Sequence, residues 1–365
     1  MDASEALSRR LATQRLTSSP LPSAAEVVRL LTCVQSQERD HAFFSLAMRS
    51  RKNTYAAVQR EFDSGAFLRT HILRPTWHFV LPEDLRWILD LTSARVLSSM
   101  RARHAQLGLD EPGRLRAGVD LLAELLRDRT HLTRAEVGDA FTERGAAIRP
   151  GEQLGHLLLV AELEGVICSG PVKGVHHTYA LVDEVVPPSP PLERDEALRR
   201  LVQRYVLGHG PTSAQDFARW SSLTLTDTRT ALAELGDALE QVDIDGIPHW
   251  QDPARPPRRR ASAPRAHLFP TYDEVVLSYP KVNFPSAHGN PYQERPDPFW
   301  ALVVLDEQHV GLWKRTVGPQ AVEVEVRLSA RVDRDGRHAV RSAAQRLADF
   351  LERDLDYHEL DETTR

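Results

Sequence analysis

Two glutamines flanking one serine, Gln35-Ser36-Gln37, are the residues of this chain best placed to act together on one small target. An amide side chain brings two donors and an acceptor, no charge, and no useful acid or base strength. Such a pair suits holding a water or reading a base edge, and suits proton transfer poorly. A polar Gln at a helix junction is commonly a cap or a solvated turn, so the surrounding elements carry the argument. Upstream, Ser23-x-x-Glu26 reads as a capping box, whose reciprocal hydrogen bonds fix a helix start. Val27, Leu30, Leu31 and Val34 follow at helical spacing, predicting a helix over 24–34. Ala42, Phe43, Leu46 and Ala47 repeat the spacing over 38–50. The amides therefore lie between two helices and converge if the backbone there is extended or kinked.

A second polar group follows in a run rich in β-branched and aromatic residues. Arg74, Thr76 and His78 keep period two, so on a strand they would project from one face. A strand with a solvated polar edge, or a histidine bonded to a backbone carbonyl, would show the same pattern. Pro82 is predicted to open a helix in its first turn, where the missing N–H costs nothing. Further on, Phe269-Pro-Thr-Tyr-Asp273-Glu274 carries two adjacent carboxylates. With Glu274 to Leu277 read as a strand, they point to opposite faces, so at most one serves a common site. The other becomes a structural hydrogen-bond acceptor. Trp77 and Trp87 are expected in the core, and Trp313 in the core beside surface Lys314 and Arg315.

Taken in order and spacing, the Gln-x-Gln, the Arg-x-Thr-x-His and the Phe-Pro-Thr-Tyr-Asp-Glu segment resemble one family. It is the winged-helix DNA-binding family that includes the AlkZ/YcaQ-like bacterial DNA glycosylases, and the resemblance spans roughly residues 5 to 350. Each motif is short; their joint order is what is specific. The resemblance implies that Gln35 and Gln37 are catalytic, hydrolysing the N-glycosidic bond of a cationic alkylated purine of N7-alkylguanine or N3-alkyladenine type. It implies a monofunctional repair enzyme, without cofactor or metal, acting on double-stranded DNA, with interstrand crosslinks within the reach of relatives. Ser36 stands where the family's middle residue is often apolar. Arg74, Thr76 and His78 would then line the cleft, with Asp273 or Glu274 in support. The competing reading is a non-catalytic winged-helix DNA-binding protein or regulator, for which paired amides at a helix junction have no use.

Composition fits without deciding. The chain has 365 residues, 41% hydrophobic and 27% charged, enough for two or three compact units of a soluble protein. No apolar stretch approaches a bilayer span and the N-terminus lacks a signal-peptide pattern, so no membrane association is expected. Cys33 and Cys168 lie far apart without metal-ligand spacing, and a reducing cytoplasm is the simplest compartment, with nucleoid association on DNA binding. The net charge of −5 argues against electrostatic coating of DNA, but phosphates need only a local basic surface. Arg255, Arg258, Arg259, Arg260 and Arg265 cluster among four prolines over 252–266, an exposed loop able to follow a phosphate backbone or serve as a solvated linker. Acids collect at the other extreme, over 351–365.

The expected fold class is α+β, mainly helical, with tandem winged-helix (helix-turn-helix) units and a C-terminal small β-sheet or barrel. The N-terminal unit, 1–130, bears the Gln-x-Gln motif. The second unit, 131–186, starts at a Thr133 cap and ends in a hairpin whose tip Lys173 would meet a phosphate. After a proline-rich joint comes the third unit, 192–252, whose second helix carries Asp227, Glu234 and Asp237 and reads as scaffold. Residues 266–353 form a β-rich subdomain closed by a helix over 338–353, and 354–365 an acidic tail. A monomer is expected.

Overall fold

Asp2 accepts a hydrogen bond from the Glu5 backbone at 2.7 Å and starts α1 (Ala3–Thr13). The computed structural model describes residues 1–254, 264–279, 284–285 and 300–361. Ser23 Oγ accepts from the Glu26 N–H at 3.3 Å and opens α2 (Ala24–Leu31). Only this half of the box forms, because the Glu26 carboxylate turns to Arg29. The helix stops three residues before Val34, where periodicity would carry it. Thr32 takes φ 67° and ψ −55°, a region costly for a β-branched residue, and throws the chain into β1 (Cys33–Gln35).

Next come α3 (Arg39–Ala47), α4 (Tyr55–Asp63), β2 (Leu68–His71) and β3 (Trp77–Val80). The middle strand is β3, antiparallel to both others, and it places His78 opposite Gln35. The strand expected through Arg74, Thr76 and His78 is therefore corrected. Only His78 is in a strand; Arg74 and Thr76 lie in the β2–β3 connection. Pro75 is the reason, since it has no N–H for a ladder, and Leu73 bends the chain with φ 65°. Pro82 opens α5 (Pro82–Gln106) in its first turn, as its sequence context predicts.

Following α6 (Arg114–Leu125), the chain runs β4 (Leu132–Thr133), α7 (Arg134–Glu143), α8 (Glu152–Leu163), β5 (Ile167–Ser169) and β6 (Thr178–Leu181), with strand order β4-β6-β5. Thr133 and Glu136 form a complete capping box. A one-turn α9 (Val182–Val185) leads to the same series again: α10 (Arg194–His209), β7 (Thr212–Ser213), α11 (Ala214–Ser221), α12 (Leu225–Leu235), β8 (Glu240–Ile244) and β9 (Ile247–Gln251), in order β7-β9-β8. Asp227 and Glu234 of α12 are tied to Arg194 and Arg199 of α10, the scaffold role that their acidity suggests.

The C-terminal part holds β10 (Ala266–Leu268), α13 (Glu274–Leu277), β11 (Ala301–Leu305), β12 (Gln308–Val317), β13 (Ala321–Leu328), α14 (Arg334–Leu351) and β14 (Asp354–Asp361), the five strands hydrogen-bonded in that order. Val322, Val324, Val326 and Leu328 of β13 alternate inward as period two requires. Two expectations are corrected. Residues 274–277 are a helix, not a strand, because Asp273 Oδ1 accepts from the Val275 N–H at 3.0 Å and caps it. The acidic end is no tail through Asp361: it pairs parallel with β13, and Leu355 and Tyr357 between the acids pack on the core.

One buried cluster unites Val34, Phe43 and Phe79 with Trp313, Val324 and Phe350. The first sheet and the last thus share a core, although more than two hundred residues separate Phe79 from Trp313. Among the described residues no helix is long and apolar enough to cross a membrane. Both cysteines are buried and unpaired.

Candidate active site

Gln35 ends β1 with 8% of its surface exposed, and its backbone N–H donates to Glu274 Oε1 at 2.7 Å. Glu274 is fully buried. Its Oε2 accepts from Trp220 Nε1 at 3.1 Å and from Ser278 Oγ at 2.8 Å, with His209 Nε2 at 3.6 Å. Burial alone would raise the carboxyl pKa; His209, the Gln35 N–H and the charge of Arg74 outweigh it and bring it to about 2. Glu274 is a fixed negative charge at physiological pH. The Gln35 amide itself makes no hydrogen bond among the described residues. Its backbone is locked and its side chain is free.

Across the ladder, His78 is buried and donates Nδ1–H to the Thr76 carbonyl at 2.9 Å. A carbonyl only accepts, so the proton is on Nδ1 and Nε2 accepts from Arg74 Nη2 at 3.2 Å. Burial first, then the Arg74 charge, lowers the His78 pKa to about 3. His78 is thus a neutral prop for the Arg74 guanidinium and no proton donor at neutral pH. Arg74 in turn faces the charges of Glu274 and Arg219.

Gln37 is exposed. Its neighbour Ser36 is buried and donates its N–H to the Trp77 carbonyl at 2.8 Å. Arg69 ties the turn together, giving Nε to the Ser36 carbonyl at 3.0 Å and Nη2 to the Gln37 carbonyl at 3.2 Å. Its guanidinium lies 4.1 Å over the Trp77 ring, and burial lowers its pKa only to about 10, so it stays charged. Trp77 is half-buried, a departure from the expected core role. Its N–H donates to Glu162, which also contacts His71 Nδ1. Beside Trp77 stands His177, whose two ring nitrogens have no hydrogen-bond partner among the described residues. Burial, then Arg69 and Arg39, holds it near pKa 3. Trp87 and Trp313 are core, as expected.

Of the residues singled out in the sequence, Gln35, Arg74, His78 and Glu274 come together. Thr76 contributes its carbonyl to the same turn. Asp273 points elsewhere, held by Arg49 at 2.7 and 2.9 Å and by Ser45 at 2.7 Å. Of the adjacent pair, only Glu274 bonds to the Gln35 segment, and Asp273 is a structural acceptor. Lys173 sits at the β5–β6 tip against Glu136. Arg258, Arg259 and Arg260 lie outside the described residues. Sequence reasoning missed Glu162, His209 and Trp220. A lone carboxylate in the apolar run 157–163 was the available signal for Glu162; the others depend on contacts between distant segments. Among the described residues no group of His, Cys, Asp and Glu has a metal-holding arrangement.

A family model described as DNA glycosylase AlkZ-like matches residues 28–350. A Streptomyces sahachiroi protein described as an interstrand DNA cross-link repair glycosylase is 26% identical over 323 residues, covering 84% of this chain and 85% of that one. The solved Streptomyces sahachiroi DNA glycosylase AlkZ has the same fold, with TM-score 0.75 and 23% identity over 99% of this chain and 100% of that chain.

Proposed function

The chain belongs to the AlkZ-like family of DNA glycosylases, hydrolytic enzymes that act on DNA, and from that premise we propose that Gln35 and Gln37 carry its reaction. The observation that supports this most directly is the arrangement of Gln35. Its main chain is anchored to a buried, ionised carboxylate while its amide has no protein partner. The substrate class that fits is a purine alkylated at N7 or N3, already cationic. Such a base leaves without protonation, so the general acid of ordinary glycoside hydrolysis is dispensable. A neutral His78 and an ionised Glu274 suit that chemistry, since neither supplies a proton at neutral pH. The amides orient a water below C1′, and orientation alone is worth several kcal/mol or more. The Glu274 charge, held in a low-dielectric interior, favours the oxocarbenium-like sugar. Asp273 supports the site only by holding Arg49 and α3.

Release of the base would leave an abasic site without strand cleavage, as no lysine stands among the residues described around the pair. Arg74, with Arg69 and Lys173, offers positive charge to backbone phosphates. The repeated strand–helix–helix–hairpin order supports reading 131–186 and 192–252 as winged-helix units, following a 1–130 unit and preceding a 266–353 subdomain. The relative from Streptomyces sahachiroi makes an N7-guanine interstrand crosslink a natural second substrate. The working form is a monomer.

The test uses duplex DNA with a single N7-alkylguanine, then an N7-guanine crosslink, scoring abasic sites after alkali. Gln35→Ala and Gln37→Ala should each lower base release by about 100-fold or more, the scale of a lost orienting contact, while duplex binding persists. Uracil and hypoxanthine should be released poorly. Unchanged release by both variants would remove the glutamines from the reaction.

A further inference from the structure

A half-open cavity of about 380 Å³ lies at the opposite end of α3 from the glutamines. Gln37 precedes Arg39 at the start of that helix, whereas Ala47, Met48 and Ser50 line the cavity, some nine residues or about 13 Å further along the axis. Arg15, Arg265 and Arg346 line it, and no carboxylate is among the described lining residues. The guanidiniums of Arg15 and Arg265 have no hydrogen bond or ion pair among the described residues, and Arg15 Nε is buried without a partner. Arg346 gives Nη2 to the Ala266 carbonyl at 2.7 Å and Nη1 to the Ser342 carbonyl at 3.4 Å. His267 also lines the cavity, 9% exposed, its Nε2 buried and unpartnered. Two acids beside these arginines are engaged: Asp349, whose charge reaches Arg346, with Gln345 Nε2 at 2.9 Å, and Asp306 with the Arg265 N–H at 2.8 Å. One wall is apolar: Leu16, Pro20, Ala47 and Met48 line it together with Phe44 and Phe350, whose rings are largely buried.

Cations gathered without counter-charge repel one another, and buried donors left unpaired are costly. An anion relieves both. Guanidinium matches phosphate by paired N–H···O bonds, and the apolar wall suits an organic group. The volume lies within the range of about 300–1,000 Å³ usual for small-molecule sites. We propose that this cavity is a nucleotide-binding site separate from the glutamine pair, with Arg15, Arg265 and Arg346 on the phosphate and the base against the apolar wall. The nucleotide is either a free mononucleotide or one unit of the bound DNA strand.

Calorimetric titration of the full chain with deoxyguanosine monophosphate, deoxyguanosine and inorganic phosphate tests the first source. Salt-dependent binding of undamaged duplex DNA tests the second, and neither needs base release. For a free nucleotide, the monophosphate binds at least tenfold more tightly than the nucleoside or phosphate alone, and Arg15→Gln and Arg265→Gln each weaken it by at least tenfold. For a strand nucleotide, the monophosphate binds weakly, but each variant lowers the slope of log affinity against log salt by about one. Thermal unfolding of each variant establishes that it folds, and the wild-type ligand ranking stands whether or not a variant does. Equal affinity for phosphate alone, monophosphate binding that both folded variants retain, or no monophosphate binding together with an unchanged salt slope would each overturn the assignment.

Discussion

Glu274 touches no part of the surface, yet the geometry of Gln35 depends on it. Its two oxygens accept from the Gln35 backbone, Trp220 and Ser278, so both oxygens are engaged. Glu274→Gln keeps the size and removes the charge, leaving donors that an amide nitrogen cannot satisfy. We expect single-turnover base release to fall by about 100-fold, the cost of roughly 1 Å of misplacement, while duplex affinity changes by less than about threefold, since no phosphate contact is lost. Equal losses in both would make Glu274 a folding residue only. The carboxyl is ionised far below neutrality, so the stability it contributes is present above about pH 4.5 and fades as pH falls toward 2. His78 acts one step back, and its neutral ring fixes where the Arg74 charge lies.

Helix α10 must approach α2 closely for His209 to reach Glu274, and Gly208 makes that approach possible. A Cβ there would lie 2.2 Å from the Leu30 carbonyl oxygen, a backbone atom that cannot rotate away. Gly208→Ala should therefore destabilise the protein by about 1–3 kcal/mol, the usual penalty of overpacking, despite alanine's better helix propensity. Denaturant unfolding measures it, and a stabilised variant would show that the helices separate freely. The disturbance also reaches the end of α2, where Thr32 already holds a strained turn into β1. Base release should suffer with stability.

Four histidines, His41, His78, His177 and His267, are each held near pKa 3 against an ordinary 6.5, burial being the largest cause in every case. Between those values the unfolded chain binds protons that the folded chain refuses. Stability is therefore full above about pH 6.5 and declines as pH falls toward 3. Unfolding followed by calorimetry at pH 5 in two buffers of different ionisation heat should show an uptake of about four protons or more. His104, His156 and His249 also have lowered pKa values and add to these four. Uptake near zero would mean these rings charge in place.

Local chemistry made much of this legible in sequence. Ser23, Thr133 and Ser213 start helices where their side chains fall, Pro82 opens α5, and the alternation over 321–328 writes the buried face of β13. The Gln-x-Gln spacing pointed to a paired-amide site for the same reason: it belongs to one short segment. What the sequence could not contain is which distant segments close around that pair. Glu274 on Gln35, His209 and Trp220 on Glu274, and Glu162 on His71 and Trp77 span 54 to 239 residues in separation. The same holds for the acidic end, whose charge suggested a tail while its alternate Leu355 and Tyr357 met the apolar edge beside β13. Periodicity reports which face of an element is apolar; only the tertiary structure decides what that face, and each buried charge, meets.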